Sequence, residues 1–141
     1  MTIVKFILAC HSEAKPKNLL SEFKNKFNLY CMEIKQEKKQ SEMIKIVIED
    51  DDGKFIGRVS LFLIFNDLHK QPYGLLEDVF VEEEFRSDGY GTKLLKEAIE
   101  VAKEKGCYKL IGQSRHFKQK VHDFYLKLGF KDWGKNFRMD F

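Results

Sequence analysis

Apolar side chains fill residues 3–10 with Lys5 as the one interruption, a run that predicts a first β-strand. Over residues 17–38 the period lengthens: Leu20, Phe23, Phe27, Tyr30 and Ile34 recur at spacings of three and four, which predicts one or two amphipathic helices. Residues 43–48 alternate toward β-branched side chains, Glu49 to Gly53 closes that run, and residues 55–65 resume it. This is the pattern of a β-hairpin with an Asp-Gly turn, and its acidic cluster reads as solvated. Residues 66–73 hold a proline and little period, so they predict a loop.

Beyond it, residues 74–81 read as another strand and residues 94–105 as a helix, with Leu94, Leu95, Ala98, Ile99 and Ala102 on one stripe. Gly106 stands where a helix C′ residue is expected. Residues 108–111 predict a buried strand, and residues 118–128 a second helix carrying Val121, Phe124, Tyr125 and Leu128 on one face, with Gly129 past its end. The tail, residues 130–141, alternates in the manner of a final strand or hairpin. Helices interleaved with strands in this way predict an α/β class with mixed strand directions.

A length of 141 residues predicts a single domain over 1–141. With 43% hydrophobic and 33% charged residues the chain has the apolar fraction that disordered chains lack. Its 25 Lys+Arg against 22 Asp+Glu leave a net charge of +3, far from the basic excess of a dedicated phosphate-backbone binder, so no nucleic-acid partner is expected. Three cysteines, Cys10, Cys31 and Cys107, form no C-x-x-C pair and read as reduced thiols of a cytoplasmic protein. The run over residues 3–10 is too short for a membrane span and is followed by charge where a cleavage site would need small residues. His11, His69, His116 and His122 lack metal-ligand spacing, so no metal is expected.

The most informative stretch is Arg86-Ser87-Asp88-Gly89-Tyr90-Gly91-Thr92, between a predicted strand and a predicted helix. Such a junction binds anions, because first-turn N–H groups lack intrahelical partners and the helix dipole favours negative charge. Glycines let the main chain approach the anion with no Cβ in the way. A P-loop would need G-x-x-x-x-G-K-[ST], which is absent, and a dinucleotide fingerprint would need a third glycine where Leu94 stands.

What remains is R-x-x-G-x-G after a strand, followed about 35 residues later by Phe124-Tyr125-Leu126-Lys127-Leu128-Gly129-Phe130. In order and spacing these motifs, with Leu75 to Val81 and Gly106 to Leu110 between and before them, resemble the GNAT superfamily of acyl-CoA N-acyltransferases. The resemblance runs from about Phe55 to the C-terminus; the first 50 residues fit the family's variable opening. It implies a mixed, mainly antiparallel central sheet of six to seven strands flanked by helices, and acetyl-CoA as acyl donor. Val79, Phe80 and Val81 would offer main-chain groups to the pantetheine arm, and Arg86, Ser87, Asp88, Gly89, Tyr90, Gly91 and Thr92 would hold the pyrophosphate.

The resemblance also implies direct attack of a primary amine on the thioester, an oxyanion held by a strand N–H, and Tyr125 as the acid at the leaving thiolate. A phenol near pKa 10 keeps its proton at neutral pH and suits that role. Glu77 and Asp78 are adjacent carboxylates on the strand facing the acceptor, sent by alternation to opposite faces. Glu77 is the expected base, since some relatives resemble this arrangement; others use a strand-five acid, for which Gln113 at that position cannot serve, or a water chain. Where many members carry a cofactor-contacting asparagine this chain has Lys118, within a basic cluster with Arg115, His116 and Lys120 that would meet CoA phosphate or an anionic acceptor.

The acceptor is expected to be a small-molecule or protein amine: an amino-sugar phosphate, an antibiotic, a polyamine or a protein amine. The family's pairing of C-terminal strands points to a homodimer. The alternative is a non-catalytic acyl-CoA-binding or regulatory module.

Overall fold

The computed structural model describes residues 33–141. Residues Lys39–Phe141 form one compact unit. Met1–Lys38 form another, whose described residues, 33–38, carry no regular secondary structure. The larger unit runs β1 (Glu42–Glu49), β2 (Phe55–Ile64), β3 (Tyr73–Val81), a 3₁₀ turn (Glu83–Phe85), α1 (Tyr90–Glu104), β4 (Leu110–Gly112) and α2 (Gln119–Lys127). The strands lie in the order β1-β2-β3-β4; the first three are antiparallel and β4 joins β3 in parallel.

The β1–β2 hairpin closes as its acidic turn predicts, with a role for one of the carboxylates. Asp50 Oδ1 accepts the N–H groups of Asp52 and Lys54, and Gly53 takes the left-handed φ of 79° that the turn requires. Alternation then sends Val59, Leu61 and Leu63 of β2 and Leu76 of β3 to one face, which α1 covers with Leu94, Leu95, Ala98 and Ala102. Each fully buried leucine in this layer contributes about 1.5–3 kcal/mol. The alanines and Gly57 let helix and sheet approach closely: a Cβ at Gly57 would sit 3.1 Å from Leu94 Cδ1 and 2.7 Å from the Phe80 carbonyl oxygen. Gly106 and Gly129 end the helices at φ 70° and 91°.

Some expectations change, and others lie outside the described residues. Among the described residues the sheet has four strands, not six to seven. The strand expected at residues 3–10 lies outside the described residues, and of the helix expected over 17–38 only 33–38 are described, irregular and with Ile34 exposed. The tail over 130–141 is not a strand: it pairs with no described strand, and Trp133, Phe137, Met139 and Phe141 stand in solvent. Alternation alone does not make a strand without a neighbour to accept its ladder. Finally, α1 begins at Tyr90, four residues before the expected Leu94, which draws Gly91 and Thr92 into its first turn. None of the described helices is long and apolar enough to cross a membrane.

Candidate active site

The site grows out of β3. Its residues Gly74, Leu75 and Leu76 pair with Leu110, Ile111 and Gly112, and there β4 ends while β3 continues to Val81 with β2 as its only neighbour among the described strands. Beyond Leu76, main-chain groups directed to the β4 side have no strand to bond. One of them, the Val81 carbonyl, accepts a hydrogen bond from Arg86 Nε at 3.0 Å.

In this half-paired stretch the register slips. Ser60 faces Glu77 and Arg58 faces Phe80, so Asp78 and Val79 together oppose Val59, a β-bulge. Asp78 sits at φ 52°, in the left-handed region where a non-glycine residue costs about 1–2 kcal/mol. The expected alternation of Glu77 and Asp78 therefore stops at the bulge, and both carboxylates are exposed. Arg58 binds Asp78 through two nitrogens, Nε to Oδ2 at 2.5 Å and Nη2 to Oδ1 at 3.2 Å, and holds its carboxyl below the usual carboxylate range.

Past β3 the chain turns through Ser87 (φ 80°) and Gly89 (φ 85°) into α1. Gly89 is the N-cap, and no side chain caps the helix, so first-turn N–H groups remain for a ligand. In front of them lies a cleft of about 430 Å³, lined by Val81, Phe85, Arg86, Ser87, Gly89, Gly91 and Thr92 on one side and Lys120, Val121 and Phe124 of α2 on the other. A Cβ on Gly91 would project toward Phe124 and Val81, 3.7 and 3.9 Å away, and so into this space. Uncapped N–H groups, two cations and a glycine facing the opening are a donor set that fits a pyrophosphate.

Next to Phe124 on α2, Tyr125 turns to the end of β4. Its ring packs on Gly112 so closely that a Cβ there would lie 2.6 Å from Cε1 and 3.2 Å from Oη, and it meets Phe130 edge-on at 5.1 Å. Burial, and after it the negative charge of Glu77, push the Tyr125 phenol above its ordinary pKa. Both causes disfavour the phenolate, burial more than Glu77.

Of the expected cofactor residues, Val81, Arg86, Ser87, Gly89, Gly91 and Thr92 line the cleft. Phe80 does not: it stacks on Phe55 at 6.3 Å. Tyr90 packs edge-on against Phe85, Asp88 is exposed, and Val79 lies in the bulge. Lys118 is the N-cap of α2, outside the cleft lining, and Lys120 from the same basic cluster stands in its place.

Phe85, Val121 and Phe124 were not singled out as cleft residues. The stripe of α2 announced the last two only as core, and nothing in the sequence marks Phe85. Ser114, two residues past β4, is the one described residue with a buried side-chain oxygen lacking a partner, and it too went unsignalled. Among the described residues no group of three or more His, Cys, Asp or Glu could hold a metal ion.

Comparison with known proteins agrees with this geometry. The sequence is 32% identical over 104 residues to glucosamine 6-phosphate N-acetyltransferase of Trypanosoma brucei brucei, covering 68% of this chain and 64% of that protein. It is 39% identical over 57 residues to thialysine N-epsilon-acetyltransferase of Bos taurus, covering 40% of this chain and 34% of that one. The chain thus spans less than two thirds of the length of these curated relatives. The crystal structure of glucosamine-6-phosphate N-acetyltransferase from Arabidopsis thaliana superposes with a TM-score of 0.64 at 29% identity, covering 70% of this chain and 67% of that one. Residues 7–130 match the Acetyltransferase (GNAT) family, and the chain belongs to it.

Proposed function

We infer that the protein is an acetyl-CoA-dependent N-acetyltransferase, one cytoplasmic domain over residues 1–141, acting on a primary amine of a small molecule or a protein. The observation that carries this reading is the cleft at the uncapped N-terminus of α1, lined in part by Val81 of the stretch of β3 that runs on past the end of β4. When bound, acetyl-CoA supplies an acetyl group activated as a thioester. The N–H groups of the first turn of α1 hold its pyrophosphate, Arg86 and Lys120 add charge, and the main chain of residues 79–81 takes the pantetheine arm.

Glu77 removes a proton from the acceptor's ammonium, directly or through water, and frees the nitrogen lone pair for attack. Tyr125, whose phenol keeps its proton at neutral pH, gives that proton to the departing sulfur. The nitrogen's second proton, lost as the amide forms, restores the phenol through water.

The names of the two relatives give the first acceptors to try, glucosamine 6-phosphate and thialysine. The test is release of free CoA thiol with these two, a polyamine, an aminoglycoside and a lysine peptide. Amine-dependent release with a clear preference for one acceptor is expected. Acetyl-CoA binding by calorimetry without release from any amine would replace this reading with the non-catalytic module. Pairing of two copies through residues 130–141, where Trp133, Phe137 and Phe141 stand exposed, belongs to the same reading and is measured by light scattering.

A further inference from the structure

Arg58, in the middle of β2, has no part in the chemistry above, yet it is more constrained than a surface arginine needs to be. Its guanidinium grips Asp78 through two nitrogens and lies against two stacked rings, 4.9 Å from the Phe80 centroid and 5.7 Å from that of Phe55. Lys45 also acts on Asp78, and Glu82 on Arg58. An exposed ion pair by itself stabilises little. Here the planar fork and the rings fix one direction for the carboxylate, and the residue they fix is the one at φ 52° in the bulge.

The bulge decides which face each site residue takes. In a regular strand Glu77 and Val81, four apart, would share a face. Because Asp78 and Val79 together oppose Val59, Glu77 instead shares the face of Ser60 and Arg58, while Val81 pairs with Gly57 and lines the cleft. A strand relaxed to regular pairing would turn one of them away from the site. The geometry points to Arg58 as a positioning residue for acetyl transfer: through Asp78 it locks the bulge that sets Glu77 on one face and Val81 on the other. This rests on the acetyl-transfer reading.

The test compares the parent with Arg58→Met, Arg58→Lys, Asp78→Gly and the Arg58→Met, Asp78→Gly pair, following kcat, the KM for acetyl-CoA, melting, and amide exchange at residues 77–81. Glycine accepts a positive φ, so Asp78→Gly removes the carboxylate while allowing the bulge. Arg58→Met should fold and lose kcat by about tenfold or more, as a misplaced base would, with the KM for acetyl-CoA within about threefold of the parent. Arg58→Lys, without the fork, should recover only part of that loss. On the Asp78→Gly background Arg58→Met should change kcat by less than about twofold, since the two residues act as one unit.

Parent-like kcat in Arg58→Met, or an equal loss on both backgrounds, overturns the proposal, the second outcome because Arg58 would then act independently of Asp78. A parent that acetylates no amine breaks the acetyl-transfer reading instead. The lock is then judged by exchange alone, expected to speed at least about tenfold at residues 77–81 in Arg58→Met or, should that variant not fold, in Arg58→Lys. Unchanged exchange overturns it.

Discussion

From Gly74 to Leu76, β3 is paired on both sides, antiparallel to β2 and parallel to β4; from Glu77 to Val81 it has β2 alone among the described strands. The first half alternates strictly, and its Gly74 and Leu76 are buried. The second half is bulged and carries three successive exposed residues, 77–79, among them one at positive φ. A strand paired on both sides has its backbone donors and acceptors committed to neighbours, which stabilises the fold and leaves nothing for a ligand. Loss of one neighbour releases those groups, and the bulge distributes side chains to both faces. Under the proposed acetyl-transfer reading, stability and chemistry divide along a single strand at the point where β4 ends.

The largest expected effects follow from setting the two halves against each other. Tyr125→Phe, at the boundary, keeps the ring on Gly112 and loses only the hydroxyl, so stability should fall by no more than about 1 kcal/mol. Turnover should fall by ~10² to 10⁴ if the hydroxyl is the general acid. Leu76→Ala, one residue before the chemistry begins, should do the reverse: it empties a site 2% exposed beneath α1 and costs about 2–5 kcal/mol in denaturant titration. Per folded molecule it should leave kcat nearly intact. If Tyr125→Phe melts far lower at full turnover, the division drawn here is wrong.

A smaller effect separates binding from catalysis. Gly91 faces the cleft with ordinary van der Waals room for a Cβ, so Gly91→Val should fold and lower acetyl-CoA affinity about tenfold, with less change in kcat at saturation. Calorimetry with acetyl-CoA checks it, and parent-like affinity in the folded variant would move the cofactor away from the α1 N-terminus. Gly89→Val is a poorer probe, because φ of 85° strains any side chain whatever the space around it.

The features legible in the sequence are those whose cause is local. The α1 stripe shows in its period, the helix ends at Gly106 and Gly129 in the need for positive φ, and the hairpin in its Asp-Gly turn. The glycine loop before α1 was legible because glycines between a strand and a helix mark a tight turn into the first helical residues. The bulge was not, since Asp78 reads as an ordinary strand residue and its partner Arg58 lies 20 positions away. Nor was the first turn of α1, where Tyr90, Gly91 and Thr92 are weak helix formers on their own. A Cβ on Gly91 would come within contact range of Val81 and Phe124, a tertiary proximity that no local window contains. Over residues 130–141 the error ran the other way: a local alternation was read as a strand, although strands depend on a neighbour that only the fold can supply.

The smallest expected effect tests whether the two halves meet at the boundary as described. The Glu77 carboxylate is one of two causes holding the Tyr125 phenol above its ordinary pKa, the larger being burial. A negative neighbour disfavours the phenolate, so Glu77→Gln should lower the pKa of Tyr125 without returning it to the solution value, because the burial persists. The measurement is tyrosinate absorbance on raising pH, with Tyr125→Phe subtracted to isolate this residue among the five tyrosines. The same variant should lose turnover chiefly at lower pH, where the acceptor amine arrives protonated and needs a base. A Glu77→Gln protein that titrates Tyr125 at the parent value would separate the two side chains and take the base role from Glu77. A lowered titration with a parent-like pH profile would keep them together but assign deprotonation of the amine to water.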